Sequence, residues 1–293
     1  MARIRVLDFE SSSDSPETGG LVEIAYTDVV AADVDLAGNP INWSVVDGNC
    51  RRANPGFPIG PETAQIHHII DEDVAGEQDW KALLRSLVRR GKDEGVIAYA
   101  AHSMNFEQKW LHPAWFDGVM PPLVCTYKSA LRLWTDAPLH SNMGLRYHRM
   151  PVGLDRAKAM PAHSAGPDSY VTAHHLRDML NDGTPLEQLV AWTKVPALTL
   201  RCKMGDYRNG GAGTVWEDVE SSMLHWILNK DFDEDIMYTA RYHLEKREMD
   251  QREEAERHSL NAQLEANGLP IEPLPGDAPA AAPVDERQQE LIL

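Results

Sequence analysis

The sequence predicts an α/β fold, a mixed sheet flanked by helices, on two grounds. Three strand-like segments separated by turn residues open the chain, and beyond them helical periodicities alternate with short apolar runs typical of buried strands. Ile4 and Val6 give the first segment, residues 3–10, its β-branched character. Gly19 and Gly20 precede the run from Leu21 to Val30, and Asn39-Pro40 precede Ile41 to Val46, so the three segments form an expected antiparallel meander. Glu62 to His68 is expected to be a short helix. Trp80, Leu83, Leu84, Leu87 and Val88 then recur at helical spacing, with Gly91 as the expected stop. Val96 to Ala100 is apolar throughout, as a central strand would be, and Val124 to Thr126 is the next strand candidate. Ser103 stands where it can cap a helix carrying Phe106, Glu107, Trp110 and Leu111. Further helices are expected through Lys128, Leu131 and Trp134, around Met143 to His148, and from Gly166-Pro167 through Val171, Leu176 and Met179 to a stop at Gly183.

With 293 residues, 43% of them hydrophobic and 25% charged, the chain can bury a sizeable core and carry an appendage. Residues 1–184 are expected to form the main domain, 185–197 a linker, 198–246 a small C-terminal module and 247–293 a charged helix with a disordered tail. The module's apolar set includes Trp216, Leu224, Trp226 and Ile227. Trp110, Trp134 and Trp226, at helical spacing with other apolar residues, are expected to be core. No apolar run approaches the roughly 18–20 residues of a membrane span, and no signal sequence opens the chain, so a cytoplasmic location is expected. Cys50, Cys125 and Cys202 are scattered without C-x-x-C spacing, which argues against a zinc site or a disulfide framework.

A net charge of −17 seems to disfavour a nucleic-acid partner, but residues 231–293 alone hold 16 acids against 6 Lys and Arg. Most of the excess therefore sits in the tail. Basic clusters such as Arg89-Arg90-Gly-Lys92 remain available for phosphates in the body of the chain.

Chemistry is signalled first by Asp8 and Glu10. Two positions apart on a strand, their side chains leave on one side, and a pair of carboxylates can hold a hard cation. Glu107, His102, His163 and Asp168 follow downstream. Residues five apart on one continuous helix diverge by about 140°, so His163 and Asp168 cannot share a helical face. A helix beginning at Pro167 resolves this, with His163 on the preceding loop and Asp168 projecting from the first turn.

Asp8-Phe-Glu10, Ala101-His-Ser-Met-Asn-Phe-Glu107 and His163-Ser-Ala-Gly-Pro-Asp168 together resemble the three motifs of the DnaQ-like 3′-to-5′ exonucleases of the DEDDh type. Leu21-Val-Glu-Ile-Ala25, Ala64-Gln-Ile-His67, Cys125-Thr126, Ser141-Asn-Met143 and Met204-Gly-Asp-Tyr-Arg208 are similar to the exodeoxyribonuclease X group within that family. The resemblance spans about residues 3–245. It implies a ribonuclease-H-like fold and a 3′-5′ exonuclease that hydrolyses DNA ends and releases nucleoside monophosphates. It also implies two divalent ions, Mg²⁺ or Mn²⁺, held by Asp8, Glu10 and Asp168, with Glu107 an outer ligand through water and His163 the general base. Phe9, Ser11, Ile66, His67, His102 and Phe106 are the implied substrate-binding residues, although a structural hydrogen-bonding role is favoured for His102 and a helix-packing role stays open for Ile66 and His67. DNA is the expected partner, as single-stranded or frayed 3′ ends.

The chain departs from the family pattern in having Glu107 where Asp is usual and Ser103 where Asn is usual. Its loop from Ser11 to Gly20 is longer than in exodeoxyribonuclease X, and Asp206 stands where relatives carry Lys. Two other functions stay open on these residues: an RNA-trimming exonuclease, since one catalytic group serves both sugars, and a non-catalytic nucleic-acid-binding module.

Overall fold

Alternation along β1 (Arg3–Ser11) decides how the layers are built. In the computed structural model, which describes residues 2–268 and Pro270, β1 is the central strand of a five-stranded sheet. The other strands are β2 (Leu21–Val34), β3 (Pro40–Arg52), β4 (Val96–Ala101) and β5 (Leu123–Cys125), in the order β3-β2-β1-β4-β5. The first three strands form the expected antiparallel meander, while β4 runs parallel to β1 and β5 parallel to β4. This mixed sheet flanked by helices is ribonuclease-H-like.

Helices α1 (Pro61–His67), α2 (Asp71–Val74) and α3 (Trp80–Asp93) precede β4, and α4 (Met104–Trp110) precedes β5. After β5 come α5 (Thr126–Leu133), α6 (Asn142–Arg149), α7 (Ala165–Asn181) and α8 (Leu186–Thr193). Ile4 and Val6 point to the side where Ala173, Leu176 and Met179 of α7 and Leu189 of α8 close the main core. Leu7 and Phe9 point to the opposite side, where Trp80, Leu84 and Trp110 cover them. Fully buried Arg5 shares the Leu7 side and donates to Asp28, its register partner on β2, at 2.9 and 2.8 Å. Its guanidinium also lies 3.8 Å from the Tyr26 ring centroid. A bidentate pair of this kind holds the two strands in one register.

Several local expectations are corrected. β3 runs six residues beyond Val46, because after an irregularity at Asp47 and Gly48 the residues Asn49 to Arg52 pair with β2 again. Gly91 does not stop α3, which continues to Asp93; a Cβ there would lie 2.6 Å from the Tyr99 hydroxyl, so Gly91 permits a close approach. Ser103 occupies the N-cap of α4 but its side chain makes no capping bond. Trp110 and Trp134 are core, whereas Trp226 is 46% exposed. On its helix, Leu224 and Ile227 face inward and leave Trp226 outside.

Beyond α8, β6 (Arg201–Cys202), β7 (Thr214–Val215), α9 (Ser221–Leu228) and α10 (Glu234–Ala266) enclose a separate small core around Cys202, Trp216, Leu224, Ile227 and Ala240. α10 is continuous across the 246/247 division drawn from the sequence. The Pro/Ala-rich tail lies outside the described residues, apart from Pro270. Cys50, Cys125 and Cys202 are free thiols, and no helix among the described residues is long and apolar enough to cross a membrane.

Lys128 of α5 joins the small module to the sheet layers. Its buried ammonium meets Asp235 of α10 at 3.2 Å and donates to the Val195 carbonyl at 3.3 Å. Asp235 also accepts from the Ala197 N–H at 2.8 Å. Removing one partner of a buried pair strands the other, so Lys128→Ala is expected to lower unfolding free energy by about 3–5 kcal/mol. Urea denaturation checks this, and a change below about 1 kcal/mol would mean that the pair behaves as a solvated one.

Candidate functional site

Asp8 and Glu10 leave β1 on the side turned to α7, as strand alternation requires. Asp168 reaches the same place from the first turn of α7, which begins at Ala165, two residues before the expected start. One carboxylate oxygen from each of the three lies within 4.8 Å of the other two, so a cation could be shared among them. Glu107 enters from the first turn of α4. It is 5% exposed, stands outside that group of three, and its buried Oε2 has no hydrogen-bond partner. Gly166 lets α7 lie this close to β3, since a Cβ there would be 3.2 Å from that of Cys50.

The cluster is electrostatically costly. Burial, followed by repulsion from Asp168, Glu107, Glu10 and Glu23, raises the Asp8 carboxyl well above its usual range. Burial and the charges of Asp168 and Glu23 push Glu10 up to about 8. Glu107 also rises to about 8, chiefly through burial with a contribution from Glu10. Asp168 is raised by burial, although the His163 and Ser164 backbone N–H groups and Asn142 act in the other direction. Among the described residues no Lys or Arg forms an ion pair with any of these four acids.

His163 lies on the loop before α7, is exposed, and has a left-handed backbone with φ of 58°. Its N–H donates to Asp168 Oδ2 at 2.8 Å, which ties the loop to the helix. His102 is accounted for within the protein. Its Nε2 donates to the His140 carbonyl at 2.8 Å and its Nδ1 lies 3.1 Å from the Thr126 hydroxyl, while burial lowers its pKa to about 4. A neutral, doubly engaged ring is a strand-end anchor.

The residues expected to contact substrate are distributed unevenly. Phe9 is 4% exposed and packed in the α3-side core, so alternation takes its side chain away from the acids. His67 is buried at 7% exposure, and its Nδ1 accepts from the Ile69 N–H at 3.1 Å. The Ile66 side chain is 47% exposed. Ser11 donates to the Ser13 carbonyl at 2.7 Å, and Phe106 packs its ring against Trp110 at 5.9 Å between centroids.

Two neighbours of the acids carried no role in the sequence reading. Asn142, at the start of α6, donates to the Asp168 carbonyl at 3.0 Å. Glu23 of β2 accepts from the Ala165 N–H at 2.7 Å. The available signal for Glu23 was a lone acid inside the otherwise apolar run Leu21 to Ala25.

No family model and no curated protein matches the chain. Solved structures do. It is similar to exonuclease X in complex with 5′-overhanging duplex DNA, at 28% identity and a TM-score of 0.47, covering 65% of this chain and 99% of that one. It is also similar to the nuclease domain of 3′hExo, a DEDDh family member bound to rAMP, at 15% identity and a TM-score of 0.45, covering 64% and 94%. A third likeness is to E. coli exonuclease I in complex with a dA16 oligonucleotide, at 12% identity and a TM-score of 0.42. That match covers 66% of this chain and 43% of the other.

The raised carboxyls keep protons in the folded chain at pH values where the unfolded chain has lost them. Their contribution to stability without metal is therefore greatest below about pH 4, the unfolded carboxylate range. It falls as pH rises through about 8, where Glu10 and Glu107 ionise. In EDTA, Glu10→Gln is expected to match wild type in Tm near pH 4 and to exceed it at pH 8. Scanning calorimetry across that range checks the sign, and parallel curves would refute it.

Proposed function

We propose that this protein is a metal-dependent 3′-to-5′ exonuclease that releases nucleoside monophosphates from DNA ends. The observation that carries the reading is the gathering of Asp8, Glu10 and Asp168 within 4.8 Å beside buried Glu107, whose Oε2 has no hydrogen-bond partner, with His163 exposed on the loop tied to Asp168. Four acids with no cationic partner fit divalent ions by their chemistry. Hard oxygen donors suit Mg²⁺ or Mn²⁺, and the orphaned Oε2 of Glu107 can hydrogen-bond a water. Asp8, Glu10 and Asp168 would hold the ions directly. When bound, two such ions would lower the pKa of an attacking water and stabilise the leaving 3′ oxygen.

The remaining chemistry belongs to the side chains. The His163 imidazole, on an exposed loop, can accept the proton of the attacking water. The hydrogen bond from its own N–H to Asp168 keeps that base beside the acids without burying it. Ile66, exposed on α1, is available to flank a terminal base. DNA is the substrate implied by the exodeoxyribonuclease X resemblance, and the solved exonuclease X likeness was itself captured with duplex DNA.

A 5′-labelled oligonucleotide ladder with Mg²⁺ or EDTA tests polarity and metal need together, and a matched RNA strand tests the sugar. Asp8→Ala is expected to reduce release to background. His163→Ala should lower the rate about 10²–10⁴-fold, the usual worth of a general base. Undiminished release by both variants would remove the assignment. Glu107→Asp should keep or raise activity, because a water-mediated acid tolerates withdrawal by one methylene; complete loss would show a site built around the longer side chain.

A further inference from the structure

Glu23 on β2 stands directly opposite Glu10 of β1, on the side turned to α7. Like charges facing each other across a strand pair are destabilising, and Glu23 adds repulsion to Asp8 and Glu10 as well. An acid is therefore a poor choice for the sheet here unless something else engages it. Something does. Its Oε2 accepts from the Ala165 N–H at 2.7 Å and from the Ser164 hydroxyl at 3.2 Å. Ser164 is the N-cap residue of α7, yet its side chain makes no capping bond within the helix. The carboxylate that caps α7 thus comes from a distant strand. It satisfies an N–H that the helix itself leaves free.

Asp168 lies three residues beyond Ala165 on that helix, while the other two acids of the cluster come from β1, the strand paired with Glu23. One side chain therefore ties α7 to the strand paired with β1, and so bears on the separation that sets the cation site. We propose that Glu23 is the positioning residue of this site: by capping α7 from β2 it fixes Asp168 against Asp8 and Glu10, and so sets affinity for divalent ions. The role depends on an acceptor oxygen at glutamate reach and not on charge. It rests on the function proposed above, which supplies the reason for a cation site.

The test is calorimetric titration of Mn²⁺ into the full chain and its Glu23→Ala, Glu23→Asp and Glu23→Gln variants, with nucleotide release and Tm measured on the same preparations. Glu23→Ala and Glu23→Asp should weaken Mn²⁺ binding about 10–100-fold, as loss of a group that orients a ligand typically does. Glu23→Asp keeps the charge but draws it back by one methylene. Glu23→Gln keeps the acceptor and should stay closer to wild type than either. If Glu23→Ala fails to fold, the order of the other two still decides. Tighter binding by Glu23→Asp than by Glu23→Gln would overturn the proposal in favour of charge, and equal affinity in all variants would also overturn it. The expected order of Mn²⁺ affinities without nucleotide release by wild type would support Glu23's role and sink the nuclease reading alone. Release and Mn²⁺ binding unaffected by Glu23→Ala would do the reverse.

Discussion

Mutual repulsion among carboxylates is the constraint around which this protein is organised. Asp8, Glu10, Asp168 and Glu107 arrive from one strand and two helices, and their partial to full burial weakens the screening of their charges by water. Among the described residues, no Lys or Arg pairs with them. The polypeptide supplies hydrogen bonds instead: the His163 N–H and Asn142 reach Asp168, and the Ala165 N–H and Ser164 hydroxyl reach neighbouring Glu23. These bonds fix positions without cancelling charge. On the proposed function, an external cation is the acids' counterpart.

The contrast with other buried charges in the same chain is instructive. Arg5, on the opposite side of the strand that carries Asp8, is matched by a bidentate Asp28. Lys128 is matched by Asp235 and the Val195 carbonyl. Where charge serves architecture, the chain completes the pair internally, as desolvation demands. Where it leaves acids together without a partner, structural demand alone offers no account of them, and the cost is a signature of use.

Much of this was legible in the sequence, for identifiable reasons. Ile4 and Val6 announce β1, and the two-residue spacing of Asp8 and Glu10 follows from strand geometry once β1 is granted. Pro167 signals a helix start near Asp168, which leaves His163 on a loop. The illegible parts depend on distant partners. Nothing local says that Gly91 faces Tyr99 and leaves α3 running, or that Asn49 to Arg52 gain a ladder from β2. Phe9 is instructive in another way. Adjacent to two candidate ligands, it belongs to the motif by sequence and to the opposite core by alternation. Glu23 was hidden for the converse reason, since its meaning depends on a helix beginning about 140 residues later.

On the proposed function, the acid cluster also has a consequence for substrate. A phosphodiester carries negative charge, and the chain bears −17. Without cations, a phosphate approaching Asp8 and Glu10 would meet like charge in a poorly screened setting, and partial protonation would relieve only part of it. Bound ions reverse the sign of that field. Each ion then favours the phosphate, and by linkage the phosphate favours each ion to the same extent. The cost of assembling unpaired acids is thus returned as coupling: the site accepts a nucleic-acid end in proportion to its metal occupancy. Geometry decides how strong that coupling is, because ions shared between β1 and α7 bind only as tightly as those two elements are held at one separation.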